Sequence, residues 1–231
     1  MKSNWLTQKA RYQGWIGSLV LTGFVFALTL LDWTDVNLFE PMLKATWTNV
    51  FETHQYYRLW TSLFVHADSA HILSNTILLV PLLYLLSAYF GSWLWPILAI
   101  FIGGLINAIV LQTLPPDVAL IGISGVDNWL GAVWLTLFFL IDRRQNKRRR
   151  FAVVLFVTFV LFVPDTYKPG VSYLSHFVGY VLGVLSGIIF YFLHRLQFKE
   201  VEVFENVFEI ESPPSTVSST EKSSHDGMSN F

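Results

Sequence analysis

Long apolar runs separated by short polar or Gly- and Pro-marked breaks dominate this chain. Six can be placed, at roughly 14 to 32, 69 to 90, 95 to 114, 121 to 141, 150 to 164 and 172 to 194. A helix needs about 20 mostly apolar residues to cross a hydrocarbon layer of roughly 30 Å, and most of these runs reach that length. The pattern predicts an all-α membrane protein built as a six-transmembrane-helix bundle. The fifth run is the short one: its clearly apolar stretch, Phe151 to Val163, is only 13 residues long and includes Thr158. It is expected to use its flanks or to sit where the bilayer is thinned. Residues 1–13 are then an N-terminal segment, 14–194 the membrane domain, and 195–231 a cytoplasmic tail. The tail's Glu, Ser, Thr and Pro content from residue 211 onward predicts disorder. Val201 and Val203 alternate, but over too short a stretch to predict a strand.

Composition agrees with lipid as the solvent. Hydrophobic residues make up 53% of the 231, charged residues 13%, and the mean hydropathy is +0.50. The basic start at Lys2, Lys9 and Arg11, followed by an apolar stretch, is also how a signal peptide begins. That stretch, Gly14 to Leu31, is longer than a signal core and ends in Asp32, Trp33 and Thr34, so a retained first span is expected. With no cysteine, disulfides, a thiolate nucleophile and Cys-based metal sites are excluded. Serine is the first nucleophile to seek.

The positions of Lys and Arg orient the spans. With the N-terminus in the cytoplasm, twelve lie on the inner side, six of them between Arg143 and Arg150; the outer side holds Lys44, Arg58 and Lys168. Removing or adding one span would put the Arg143 to Arg150 cluster and the C-terminal basic residues on opposite sides. The cluster lies between two membrane spans, so no nucleic-acid partner is expected. The bilayer is the expected partner, and the cytoplasmic membrane of a bacterium the expected location. The outer segment Trp33 to Asp68 is rich in aromatic residues and is expected to lie along the interface.

Polar residues inside apolar spans are costly, which makes them the functional candidates. They are His71, Asn75, Asn107, Ser124, Asp127, Asn128, Ser175 and His176. His71 and Asn75 share one helix face at i, i+4; by themselves they are either interhelical glue or a pair of hydrogen-bond donors to a reacting group. Ser124 lies between Gly122 and Gly125, and His176 begins a small-residue row with Gly179, Gly183 and Gly187. Either pattern alone is also a helix-packing motif.

Depth joins the two. Ser124 precedes the basic boundary at Arg143 by 19 residues, and His176 precedes Arg195 by 19. At 1.5 Å per residue both side chains lie about 28 Å from the cytoplasmic edge. Small residues on both helices permit close approach, and a hydroxyl beside an imidazole is an activated nucleophile: His176 as base, Ser124 as attacker. His71, Asn75 and the Ser124 backbone N–H then sit where an oxyanion needs donors. No set of His and carboxylates has metal-ligand spacing, so no metal site is expected. His66 reads as structural, with assistance to the oxyanion site as the other reading. His54, His194 and His225 read as surface residues.

These residues resemble the rhomboid family of intramembrane serine proteases. Tyr57, Arg58 and the run from Phe64 and His66 to His71 and Asn75 are similar to its aromatic-Arg and F-x-H-x-x-x-x-H-x-x-x-N pattern. Gly122 to Gly125 matches its G-x-S-G motif, and Ser175 to Gly183 its (A/S)-H-x-x-G-x-x-x-G motif. The resemblance covers about residues 14 to 194. It implies an endopeptidase that cuts membrane proteins in or beside a transmembrane helix near its outer end, without a cofactor. Ser124 would be nucleophile, His176 base, and His71 and Asn75 oxyanion donors. It further implies that the fifth span and the loop before the sixth, about 150 to 172, act as gate and cap. The chain departs from the pattern at Asn128, where the family has an aromatic residue, and at Asp127, where it has an apolar one. Asp127 is either a first-turn carboxylate wetted by the catalytic cavity or, with Asn128, a third member that hydrogen-bonds His176. The rival functions are a rhomboid-like protein that binds transmembrane helices without cutting and a small transporter. A transporter should show inverted repeats, and the sequence has none.

Overall fold

The computed structural model describes residues 1–34, 43–162 and 172–205. Six helices of sixteen residues or longer make up most of it: α1 Gly14–Trp33, α2 Ser69–Phe90, α3 Leu94–Leu111, α4 Ser124–Ile141, α5 Lys147–Phe162 and α6 Tyr173–Glu200. All but α5 are long and apolar enough to span a membrane. α5 has 16 residues and opens with Lys147 to Arg150. Residues 163–171, where the end of the fifth span and the cap are expected, lie outside the described residues, as does the tail beyond 205. α6 runs on to Glu200, past the 194 set by the sequence pattern.

Local signals fix the helix ends. The Asp68 carboxylate accepts the His71 backbone N–H at 2.8 Å, which starts α2 and places His71 in its first turn with Asn75 one turn on. Gly91, at φ +129°, ends it. The Ser172 hydroxyl accepts the Ser175 N–H and starts α6.

α4 is the central helix: 67% of its span is buried, against 17% for α6. The Gly179, Gly183 and Gly187 row of α6 lies on α4, so close that a Cβ on any of them would strike Gly125 and Trp129 backbone or the Ala132 and Thr136 side chains. The Trp129 indole N–H donates to Ser186 Oγ at 3.1 Å across the same interface. α1 packs on α2, with Trp15 stacked on Tyr84 and the Ser18 hydroxyl donating to Val80 O at 2.9 Å. Large apolar side chains such as Phe24, Phe101, Phe156, Phe159, Phe177 and Phe192 point outward from their helices. That surface suits lipid and not water.

Two polar arrangements close the ends. At the basic end Ser3 pairs with Val203 in an isolated antiparallel bridge, and Asn4 donates to Asp142 at 2.8 Å. Trp5 donates to Tyr89 O at 2.8 Å. Arg144 holds the Asp142 carboxyl below the usual carboxylate range through its hydrogen bonds. At the other end the segment before α2 does more than lie on a surface. Val50, Leu59, Leu63 and Phe64 are buried, Arg58 donates to Lys44 O at 2.9 Å, and Asn107 of α3 donates to Leu59 O at 2.9 Å.

Candidate active site

Ser124 is the first residue of α4. The chain reaches it through Gly122, whose φ of +100° is one that side chains other than glycine's rarely adopt, and whose N–H donates to Ser62 O at 2.9 Å. A helix start leaves backbone N–H groups without intrahelical partners, so a preorganised donor sits next to the hydroxyl. His176 lies in the first turn of α6, and its Nε2 is 2.9 Å from Ser124 Oγ. One turn further along α6, Gly179 rests against the Gly125 backbone. The close crossing of α4 and α6 therefore lies just beside the hydroxyl and imidazole, which explains why small residues follow each of them.

His71 approaches from α2. A Cβ on Gly122 would come within 2.9 Å of the His71 ring and 3.9 Å of Asn75 Nδ2. Gly122 thus serves twice, as a conformation and as a space. A cavity of about 170 Å³ opens here, lined by His71, Gly122, Ser124 and Gly125 together with Asn107, Ser172 and Ser175. It is large enough for a water or a backbone segment and is bordered by polar groups on the Ser124 side.

The two unusual residues of α4 go elsewhere. Asn128 donates from Nδ2 back to Ser124 O at 3.0 Å, and Asp127 is 1% exposed with neither carboxyl oxygen hydrogen-bonded. Neither hydrogen-bonds His176, and the cavity does not wet Asp127. At i+4 and i+7 from Asp127, Gly131 and Trp134 face a groove between α2, α4 and α5. Asp127 shares that face and not the one that carries Ser124's partner. Among the described residues no cluster of His, Cys, Asp and Glu suits a metal ion.

His66, in the short loop that leads into α2, lies beside the site. It is 1% exposed and edge-on to His71, with ring centroids 5.0 Å apart. Burial first, and then the neighbouring His71, pull its pKa from 6.5 down to about 4. The unfolded chain takes up this proton near 6.5 and the native one only near 4. Stability is thus full above pH 6.5 and falls as the pH drops towards 4, by about 3 kcal/mol in all. Denaturation in detergent across that range is expected to show the slope in the wild type and a reduced one in His66→Gln; equal slopes would contradict it. Sequence reasoning missed Thr29, whose hydroxyl lies 3.0 Å from His66 Nδ1. A threonine in an apolar span, like Thr22 in the same helix, sends no signal. Ser172 was legible in principle, as a capping serine just before an apolar run.

Comparison with known proteins agrees with this architecture. No curated protein sequence matches the chain significantly, but the rhomboid domain matches residues 53–192, which include every residue of the site named above except Thr29. That match spans more than half of the 231 residues, and five helices are long and apolar enough to span a membrane, so the chain is a multi-pass integral membrane protein that belongs to the rhomboid family.

Proposed function

We propose that this protein is an intramembrane serine endopeptidase that hydrolyses membrane proteins in or beside a transmembrane helix. The reading rests on the 2.9 Å contact between Ser124 Oγ and His176 Nε2, beside a cavity that is bordered by polar groups on the Ser124 side and lies inside an apolar bundle. Polar groups are expensive there, and a serine and histidine brought together from two helices have few structural uses.

In the proposed reaction Ser124 Oγ attacks the scissile carbonyl carbon while His176 Nε2 takes the hydroxyl proton. The oxyanion accepts hydrogen bonds from His71, Asn75 and the Ser124 backbone N–H. As the tetrahedral species collapses, the C–N bond breaks and His176 gives its proton to the leaving amine. Water then attacks the acyl-enzyme, losing a proton to His176, and the second collapse frees the acid product and returns the proton to Ser124. No cofactor takes part. Asp127 and Asn128 have no step of their own.

The bundle is taken to span the membrane six times, α5 included, with both termini in the cytoplasm of a bacterial cell. The site is then near the outer surface, about 28 Å from the inner boundary by helix rise. Residues 14–194 would form the membrane domain and 195–231 a tail. Binding of transmembrane helices without cleavage is the second reading, favoured by Asn128 at the position where the rhomboid pattern has an aromatic residue. The two separate in proteoliposomes carrying a model transmembrane substrate with small residues near its outer end. Cleavage there by the wild type and not by Ser124→Ala supports the protease. Co-purification of intact substrate without products supports the binding reading.

A further inference from the structure

We infer that Thr29 and His66 are positioning residues that set which way the Asn75 amide faces, and so make it a donor towards the cavity; this rests on the proposed function. Three buried side chains, Thr29, His66 and Asn75, form a chain whose protons can be counted. Thr29, on α1, is fully buried. Its hydroxyl donates to Phe64 O at 2.7 Å, and the same oxygen lies 3.0 Å from His66 Nδ1. A hydroxyl has one proton. With that proton on Phe64 O, Thr29 faces His66 as an acceptor, and His66 must carry its proton on Nδ1.

A neutral imidazole has only one N–H, so His66 Nε2 is a bare acceptor. It lies 3.0 Å from Asn75 Nδ2, which therefore donates to it. The amide nitrogen is thus turned towards His66, and its second N–H is left for the side of Gly122, where a Cβ would stand 3.9 Å from Nδ2. The reverse network fails at its first link. If Thr29 donated to His66, then Nε2–H would point at Asn75 and call for its carbonyl oxygen. Thr29 Oγ1 and Phe64 O would then face each other at 2.7 Å with no proton between them. The relay is held in place by the Trp33 indole, which donates to His66 O at 2.8 Å. α1 supplies no group to the cavity, yet it fixes the hydrogen-bond polarity of a residue beside Gly122, which lines it.

The consequence is a kinetic effect at a distance. Valine at position 29 keeps the shape but removes the acceptor, so His66 can change tautomer and Asn75 can turn a lone pair towards the developing oxyanion. Thr29→Val is expected to lower kcat about tenfold with KM unchanged. Thr29→Ser is expected to stay near the wild type, and Thr29→Val is expected to have no further effect in an Asn75→Ala background. A tenfold loss that persists without Asn75, or a fall in thermal midpoint with kcat intact, would overturn the assignment. A second readout does not depend on activity: nitrogen NMR of the full chain in detergent is expected to show His66 protonated at Nδ1 and bare at Nε2. The opposite tautomer would overturn the relay even in a chain that cleaves nothing, whereas an inactive wild type with this tautomer counts only against the protease reading.

Discussion

Cleavage of a transmembrane substrate is expected to fall at least about a thousandfold in Ser124→Ala and by a similar factor in His176→Ala, with the double variant no worse than either. The hydroxyl and the imidazole act in one step, so removing either removes the attack. The residual rate then comes from substrate binding and the oxyanion donors alone. Folding is expected to be nearly untouched. Ser124 begins a helix whose buried face is formed by Val126, Trp129, Leu130 and Val133, and none of these contacts needs the hydroxyl. A change in thermal midpoint as large as the change in rate would mean that the pair is structural.

The second large effect concerns packing. Gly179→Leu is expected to cost about 3 kcal/mol or more and to abolish cleavage, because a side chain there would occupy the place of the Gly125 carbonyl. The backbone cannot yield without moving α4 away from α6, and that separation would part Ser124 from His176. Gly23→Leu is the control. A Cβ at Gly23 would meet nothing within 4 Å, so this variant is expected to remain within about 1 kcal/mol of the wild type and active. Denaturation in mixed micelles alongside the cleavage assay measures both. Equal tolerance at the two positions would contradict the close crossing of α4 and α6.

Much of this fold is written in local pattern. Apart from the far end of α6, apolar runs located the helices to within a few residues because the hydrocarbon layer sets their length, and the glycine row on α6 announced a close neighbour. The meeting of Ser124 and His176 was readable because both count the same distance from a basic boundary. Other contacts depend on chain segments far apart in sequence, and no local signal encodes them. Asn4 bonds to Asp142, and Asn107 bonds to the segment before α2. That segment looked interfacial because it is aromatic, yet its aliphatic residues enter the core. The sequence left two roles open for Asp127, and it is hydrogen-bonded in neither. Helix periodicity alone could not say which neighbour lies opposite it. Thr29 was invisible for a simpler reason: a hydroxyl costs little in an apolar helix, so its presence asks for no explanation until its partner is known.

A serine nucleophile activated by a histidine reacts with a serine-directed fluorophosphonate. Labelling of the full chain in liposomes by such a reagent, with the adduct located by mass spectrometry, shows whether Ser124 is activated by His176. The expected result is a single adduct on Ser124, formed by the wild type, lost in Ser124→Ala and suppressed in a folded His176→Ala variant. Failure of the folded wild type to label Ser124, or labelling that does not depend on His176, would contradict that activation.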